Sequence, residues 1–246
     1  MPSYFDKIQA IKQSSNTLTH LAIIMDGNRR WARQNGFEAI KGHKIGSQQI
    51  ENIVSECINI GVKYLTIFAF SSENWLRSAY EVKSLIALVK EYLNGDDINK
   101  MISLGVRFKV IGQPEKFGAD VVERIKHIEQ QTAQNANIDL RVALSYGGRQ
   151  EIVDLVKNIS LKALSGDVLP QDVNEEFCQK ELCQDVPYPD LLIRTGGEQR
   201  VSNFLLWQLA YAELYFTDVL WPSFTKENLI EAIIDYQSRT RTYGTA

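Results

Sequence analysis

At 246 residues, 44% hydrophobic and 23% charged, the chain is composed like an ordinary globular protein and can bury one sizeable core. Its 27 Lys and Arg against 30 Asp and Glu leave a formal charge of -3, which excludes a protein whose main task is to neutralise a nucleic-acid backbone, so any anion site must be local. Cys57, Cys178 and Cys183 match no zinc or redox spacing and read as reduced thiols of a cytoplasmic protein. Residues 1–13 carry no signal-like apolar stretch, and the longest apolar run, 64–70, is far short of the roughly 18 residues of a membrane span, so the chain is expected neither to be exported nor to span.

Along the chain, short apolar or β-branched runs alternate with helical patterns. A strand is expected at 21–25, then a helix carrying three arginines, then a helical face over 47–60. A strand at 64–70 precedes the clearest helix, 81–93, where Val82, Leu85, Ile86, Val89, Tyr92 and Leu93 recur at three- and four-residue steps. Strands at 106–111, 140–145, 191–193 and 214–216 alternate with helices at 121–131, 152–164 and 229–236. The expected fold is α/β, a single domain with a mostly parallel central sheet of about six strands flanked by helices. That domain covers 20–240, after a segment 1–19 that reads as flexible or helical and before a tail 241–246. The strongest break is the loop around Val186, Pro187, Tyr188, Pro189 and Asp190.

Three strand ends gather chemistry. After 21–25 come Asp26, Gly27, Asn28, Arg29, Arg30, Trp31 and Arg33. In parallel sheets ligands bind at the carboxyl ends of strands, where the next helix offers free N–H groups and its positive dipole end. Gly27 lets a phosphate approach the backbone, Asn28 suits the N-cap, and Arg30 adds a bidentate contact. Asp26 beside such an anion implies a cation between them, hence Mg²⁺. An ordinary turn followed by a solvated arginine face remains open for this segment alone. Lys41, Gly42, His43 and Lys44 open the next helix, and His43 by itself is more often a structural histidine.

The second strand end carries Ser71, Ser72, Glu73, Asn74, Trp75 and Arg77, which also reads as a serine-capped helix start with Trp75 as a core plug. The third carries Arg194, Gly196, Gly197, Arg200, Val201 and Ser202, two guanidinium forks and a hydroxyl on a glycine loop that suit a diphosphate. Glu213, an acid inside an apolar run, is expected to meet an arginine or a metal.

Taken together and in this order, these segments resemble the cis-prenyltransferase family, in particular its bacterial undecaprenyl diphosphate synthases, over about residues 20–225. The most specific pieces are Met25-Asp26-Gly27-Asn28 with Arg30-Trp31, Gly42-His43-Lys44, Phe70-Ser71-Ser72-Glu73-Asn74-Trp75, and Arg194-Thr195-Gly196-Gly197 with Arg200-Val201-Ser202-Asn203-Phe204. The resemblance implies a homodimer that adds isopentenyl diphosphate in cis to an allylic diphosphate such as farnesyl diphosphate. The implied product is undecaprenyl diphosphate, the lipid carrier precursor for bacterial cell-wall polysaccharide, delivered to the membrane by a cytoplasmic enzyme at most loosely attached to it.

By that resemblance Asp26 is the catalytic carboxylate working with Mg²⁺, and Gly27, Asn28, Arg29, Arg30 and Trp31 surround the allylic diphosphate. His43 and Asn74 help ionisation and proton removal, while Ser71, Ser72, Glu73, Trp75 and Arg77 shape the same cleft. Arg194, Arg200, Val201 and Ser202 correspond to the isopentenyl diphosphate clamp, and Glu213 to a metal-binding residue near it. The helix 81–93 is a candidate wall for the growing chain, or else plain core.

Two positions depart from the family pattern. Ala39 stands where an arginine is common, and Arg33 or Lys41 is expected to supply the missing charge. Ser78 stands where a proline is common, so that loop is expected to be less rigid. Two rivals are a non-catalytic subunit of a heteromeric prenyltransferase, and an unrelated nucleotide enzyme. Retention of Asp26, Asn74, Arg194, Arg200 and Ser202 in one chain speaks against the first, and the absence of G-x-x-x-x-G-K-[ST] and G-x-G-x-x-G patterns against the second.

Overall fold

The strand β1 (His20–Ile24) is buried along its whole length, and its side chains alternate between two cores. Leu21 and Ile23 enter a large apolar cluster on one face of the sheet, while Ala22 and Ile24 enter a smaller one on the other. In this computed structural model, which describes residues 3–183 and 186–241, β1 is joined by β2 (Tyr64–Ser71), β3 (Val106–Gly112), β4 (Ile138–Tyr146), β5 (Leu191–Arg194) and β6 (Glu213–Phe216). Their order is β3-β4-β2-β1-β5-β6, and every neighbouring pair is parallel. Each strand expected from the apolar runs is present, shifted by at most two residues at either end. The chain goes from β1 to β2 on one side and returns later to β5 on the other, so a topological switch lies between the carboxyl ends of β1 and β5.

The helices are α1 (Tyr4–Gln13), α2 (Asn28–Gln34), α3 (Ala39–Ile60), α4 (Ala79–Asn94), α5 (Asp96–Ser103), α6 (Ala119–Gln131), α7 (Gly148–Ser165), α8 (Glu175–Cys183) and α9 (Lys226–Ser238) among the described residues. The large cluster takes side chains from α1, α3, α4, α5, α6 and α9. Ile8 and Ile11 of α1 are part of it, so residues within the 1–19 segment belong to the main core. Of the expected tail, all but Arg241 lies outside the described residues.

Helix α3 starts eight residues earlier than its apolar periodicity indicates. The extension contains Gly42 and Gly46, each of which lowers intrinsic helix propensity by about 1 kcal/mol. Their reason is close packing against α2, since a Cβ on Gly42 would lie 2.1 Å from the Asn28 carbonyl oxygen and one on Gly46 2.1 Å from Asn28 Oδ1.

Candidate active site

The chain leaves β1 through Met25 and Asp26 and turns into α2 at Gly27, whose φ of +107° is a left-handed conformation that side chains other than glycine rarely adopt. A Cβ there would also stand 2.8 Å from the Leu220 side chain. Gly27, not Asn28 as the sequence suggests, is therefore the N-cap. Asn28 is the first helical residue, turning its amide Nδ2 back to the Met25 carbonyl at 3.1 Å, with Oδ1 buried and unpartnered. No side chain caps α2, so its first N–H groups are left for a ligand beside a recess of about 570 Å³ that Gly27, Asn28, Arg29 and Arg30 line.

Asp26 is held from several directions. Its Oδ1 accepts from the Gly27 N–H at 2.6 Å and pairs with Arg30 at 3.3 Å, while its Oδ2 accepts from Arg194 Nη2 at 3.0 Å. The Thr195 hydroxyl accepts from the Asp26 N–H at 2.9 Å and donates to its carbonyl at 2.7 Å. Arg194, the last residue of β5, is 4% exposed and also donates through Nη1 to Ser202 Oγ at 2.7 Å and to the Arg200 carbonyl. Gly196 makes this approach possible, because a Cβ on it would lie 2.7 Å from Arg30 Nη2 and 3.1 Å from the Asp26 carbonyl carbon. The first and third sequence motifs thus form one charged cluster across the switch point.

The second motif closes the other side. Ser71 ends β2 and caps the 3-10 turn Ser72–Leu76, and its N–H donates to Asn74 Oδ1 at 3.0 Å. That N–H can only donate, so it fixes the amide with oxygen towards the backbone and leaves Nδ2 free. Burial alone would raise the Glu73 carboxyl, but hydrogen bonds from Asn203 (2.8 Å), its own backbone, Ser71 and Ser72 outweigh it and hold the group below its ordinary value. Arg77 pairs with Glu81 at 2.7 Å, and Arg29 approaches the same carboxylate at 3.7 Å. Ser78 caps α4, accepting from the Glu81 N–H at 3.3 Å. His43 on α3 is pushed down to about 4, first by burial and then by Arg77, so it is neutral near pH 7, and its Nε2 is buried without a partner.

These groups head a cavity of about 670 Å³ that has a polar mouth and an apolar interior. Asp26, Asn28, His43, Ser71, Glu73, Asn74, Arg77, Arg194 and Ser202 line the mouth. Leu85, Leu88, Val89, Tyr92 and Leu93 of α4 form one wall, with Ile67, Phe108, Val142 and Leu144 of the sheet opposite. The apolar face of α4 thus lines the cavity and also packs into the large core, to which Leu85 and Leu93 belong. Of the charged residues at the mouth, Arg149 escapes the sequence reading, and Asn203 enters it only as part of the third motif, with no role of its own. Asn203 accepts from the N–H groups of Gly148 and Arg149 and donates to Glu73, tying the start of α7 to the β2 motif. Gly147, Gly148 and Arg149 follow an expected strand as the other motifs do, and that signal could have found them.

Other expected site residues lie off the cavity. Trp75 packs between Phe70 and Phe117, with its Nε1 donating to Ser145. Trp31 stacks on Phe37 and donates to Ser223, Val201 packs on the smaller core, and Ser72 lies under the Gly147 turn. Glu213 begins β6 in register with Leu191 and Leu21, which places it about five strand residues, roughly 16 Å, from the level of Asp26. It pairs with Arg239 at 2.8 Å. Within one chain it does not reach Asp26, because parallel strands put the start of β6 at the opposite edge from the end of β1.

Of the two candidates for the charge missing at Ala39, Arg33 lines the phosphate recess together with Ala39, and Lys41 does not. Among the described residues no three His, Cys, Asp or Glu side chains converge as a self-sufficient metal site, and no helix is long and apolar enough to cross a membrane.

A family model described as "Putative undecaprenyl diphosphate synthase" matches residues 24–244. An isoprenyl transferase of Aquifex aeolicus is 46% identical over 92% of this chain and 95% of its own length. The chloroplastic (2Z,6Z)-farnesyl diphosphate synthase of Solanum lycopersicum is 42% identical over 97% of this chain and 83% of its own. Among solved structures, lavandulyl diphosphate synthase from Lavandula x intermedia in complex with dimethylallyl diphosphate superposes with a TM-score of 0.89 at 35% identity, covering 94% of this chain and 99% of that one. A probable undecaprenyl diphosphate synthase from Campylobacter jejuni gives 0.76 at 32%, covering 93% and 99%. The matched span contains all three strand-end motifs, the cavity between them and the wall formed by α4, and the chain belongs to the undecaprenyl diphosphate synthase family of prenyltransferases.

Proposed function

We propose that the chain condenses isopentenyl diphosphate units in cis onto an allylic diphosphate such as farnesyl diphosphate, to give undecaprenyl diphosphate for bacterial cell-wall polysaccharide synthesis. One observation carries this reading: a single cavity joins a mouth of arginines, backbone N–H groups and the carboxylates of Asp26 and Glu73 to an apolar interior. That combination suits a substrate with a diphosphate head and a hydrocarbon tail that grows. Each five-carbon unit buried would contribute up to about 4 kcal/mol.

Heterolysis of the allylic carbon–oxygen bond leaves its electron pair on the diphosphate. The uncapped N–H groups of α2, Arg30, Arg29 and Arg77 stabilise that charge as it develops, and they are in place beforehand. Arg194, Arg200 and Ser202 hold the second diphosphate, so that the double bond of isopentenyl diphosphate attacks the allylic carbon and one proton is then lost. With its oxygen engaged by Ser71, Asn74 offers its NH₂ group to orient a diphosphate, and neutral His43 offers a lone pair or an N–H.

Mg²⁺ fits this donor set, because Asp26 presents a carboxylate between Arg30 and Arg194 at the head of the cavity and Mg²⁺ is commonly held by one or two carboxylates plus substrate phosphate oxygens and water. When bound, it supplies Lewis-acid neutralisation of the departing diphosphate. Val153, Val156, Leu161 and Leu164 leave an exposed apolar stripe along α7, which supports a homodimer.

The test is incubation of the purified chain with farnesyl diphosphate, labelled isopentenyl diphosphate and Mg²⁺, with and without a chelator, and sizing of the extracted products. A long polyprenyl diphosphate that disappears on chelation supports the proposal. No product from the folded chain favours the non-catalytic subunit.

A further inference from the structure

We propose that the rim of the cavity mouth, formed by Phe37, Leu76 and Tyr80 with the cations Arg29, Arg33 and Lys41, is a docking surface for an anionic phospholipid bilayer. Its purpose rests on the prenyl-transfer reading, since a long apolar product must pass from this mouth into a membrane. The docking itself is measurable without any substrate.

Leu76 is 88% exposed, Tyr80 73% and Phe37 47%. Isolated exposed apolar side chains are common, but these surround one opening. Leu76 ends the 3-10 turn between Asn74 and Arg77, both of which line the cavity. Tyr80, in the first turn of α4, lines a side recess of about 360 Å³ together with Ala39 and His43. Phe37 lines the phosphate recess, which also includes Ala39 and His43. The two recesses share those residues, so Phe37 and Tyr80 flank a common entrance. None of the three side chains is needed by the large core.

The charges around the entrance complement an anionic headgroup layer. Among the described residues Arg33 and Lys41 are exposed and make no side-chain hydrogen bond or ion pair, and Arg29 is 59% exposed with only the 3.7 Å approach to Glu81. Glu38 is the exposed acid beside them, while Glu81 is already neutralised by Arg77, and Glu198, which lines the same recess as Arg29 and Arg33, by Arg200. Apolar and aromatic side chains interspersed with uncompensated cations are what an interfacial surface needs, with the apolar groups entering the acyl boundary and the cations meeting phosphate. The α7 stripe differs in this respect, because Lys162 pairs with Glu181 at 2.6 Å, Lys157 approaches Asp154 at 3.8 Å, and Arg149, in the first turn of that helix, lines the cavity far along the helix from Leu161 and Leu164.

The experiment is co-sedimentation of the full chain, without substrate, with vesicles of phosphatidylcholine and phosphatidylglycerol in equal amounts, or of phosphatidylcholine alone. The chain is expected to sediment with the anionic vesicles at least about tenfold more strongly than with the neutral ones, less so at high salt. Leu76→Ser/Tyr80→Ser and, separately, Lys41→Glu should each weaken that binding severalfold with the melting temperature unchanged, and Leu161→Ser/Leu164→Ser should not weaken it. Absence of binding to anionic vesicles, or equal binding by wild type and Leu76→Ser/Tyr80→Ser, would overturn the proposal. So would a Leu76→Ser/Tyr80→Ser variant that binds vesicles normally but shows a raised KM for farnesyl diphosphate, which would make these side chains a cover for substrate. A chain that docks but yields no polyprenyl product would leave the docking intact and remove the functional reading instead.

Discussion

Nη2 of Arg194 donates to Oδ2 of Asp26 across 3.0 Å, and the other arm of the same guanidinium reaches Ser202 Oγ at 2.7 Å. One planar fork thus fixes the end of β1 relative to the loop after β5. A lysine can present only a compact ammonium and cannot span both partners in fixed geometry. Arg194→Lys is expected to raise KM for isopentenyl diphosphate by about tenfold or more and to lower kcat by about 10²-fold, with a smaller change in KM for the allylic substrate. Steady-state kinetics with each substrate varied in turn would check this, and equal effects on both KM values would count against it.

Arg33, not Lys41, is the cation proposed to compensate for Ala39. It lines the recess at the start of α2 and makes no side-chain ion pair among the described residues, whereas Lys41 lies outside that recess. Arg33→Ala should raise KM for the allylic diphosphate by roughly tenfold, the worth of one charge-assisted hydrogen bond, while Lys41→Ala leaves it within about twofold. An unchanged affinity in the Arg33→Ala variant would remove that residue from the site.

The apolar interior sets a limit on tail length. Leu88 faces the cavity from α4, one turn beyond Leu85 towards Leu93. Leu88→Trp is expected to shorten the extracted product while leaving a first condensation within about threefold of wild type, because filling the interior removes burial worth up to about 4 kcal/mol for each excluded unit. A product distribution identical to wild type would show that the tail does not run along this wall.

Burial pushes the His20 ring down from 6.5 to about 4, and burial reinforced by Arg77 brings His43 to about 4. His20 Nδ1 faces the Pro187 carbonyl at 2.6 Å and so donates, which leaves Nε2 to accept from Thr66 Oγ1 at 2.8 Å, and the neutral ring satisfies both contacts. As pH falls from 6.5 to 4 the unfolded chain takes up protons that the folded chain refuses, so stability falls by about 1.4 kcal/mol per pH unit for each ring. Urea unfolding at pH 7 and pH 5 should show this loss, and His20→Asn should make the pH dependence shallower by about that slope. An unaltered slope in the variant would contradict the assignment.

Much of the architecture can be read from apolar runs, because every strand of this sheet is bounded by polar turns and most helices show a clear apolar face. Lys41, Gly42, His43 and Lys44 mark the opening of α3, but its apolar period begins only at 47, because Gly42 and Gly46 are there for contact with Asn28, a tertiary fact that no local propensity carries. Helix α5 is eight residues long and buries only Ile98 and Met101, too few to establish a period. Parallel topology makes the carboxyl ends of β1, β2 and β5 adjacent, and so three motifs far apart in sequence meet at one cleft. The same logic shows why Glu213 is not there, since it starts a strand instead of following one. Trp31 and Trp75 illustrate another limit: an indole within a polar motif serves equally as a packing group, and only the positions of Phe37, Phe70 and Phe117 decide. Gly27 displaces Asn28 from the cap because the turn requires a left-handed backbone, a demand that residue type alone does not reveal.

The most direct test of the account is single-turnover condensation by Asp26→Ala with saturating farnesyl and isopentenyl diphosphates and Mg²⁺, alongside direct measurement of farnesyl diphosphate binding. The account predicts a loss of at least about 10³-fold in the rate of carbon–carbon bond formation, with binding of the allylic substrate retained within about tenfold, since Arg29, Arg30 and the α2 N–H groups remain. A variant that condenses within tenfold of the wild-type rate would contradict the central role given to the carboxylate that Arg30 and Arg194 hold at the head of the cavity.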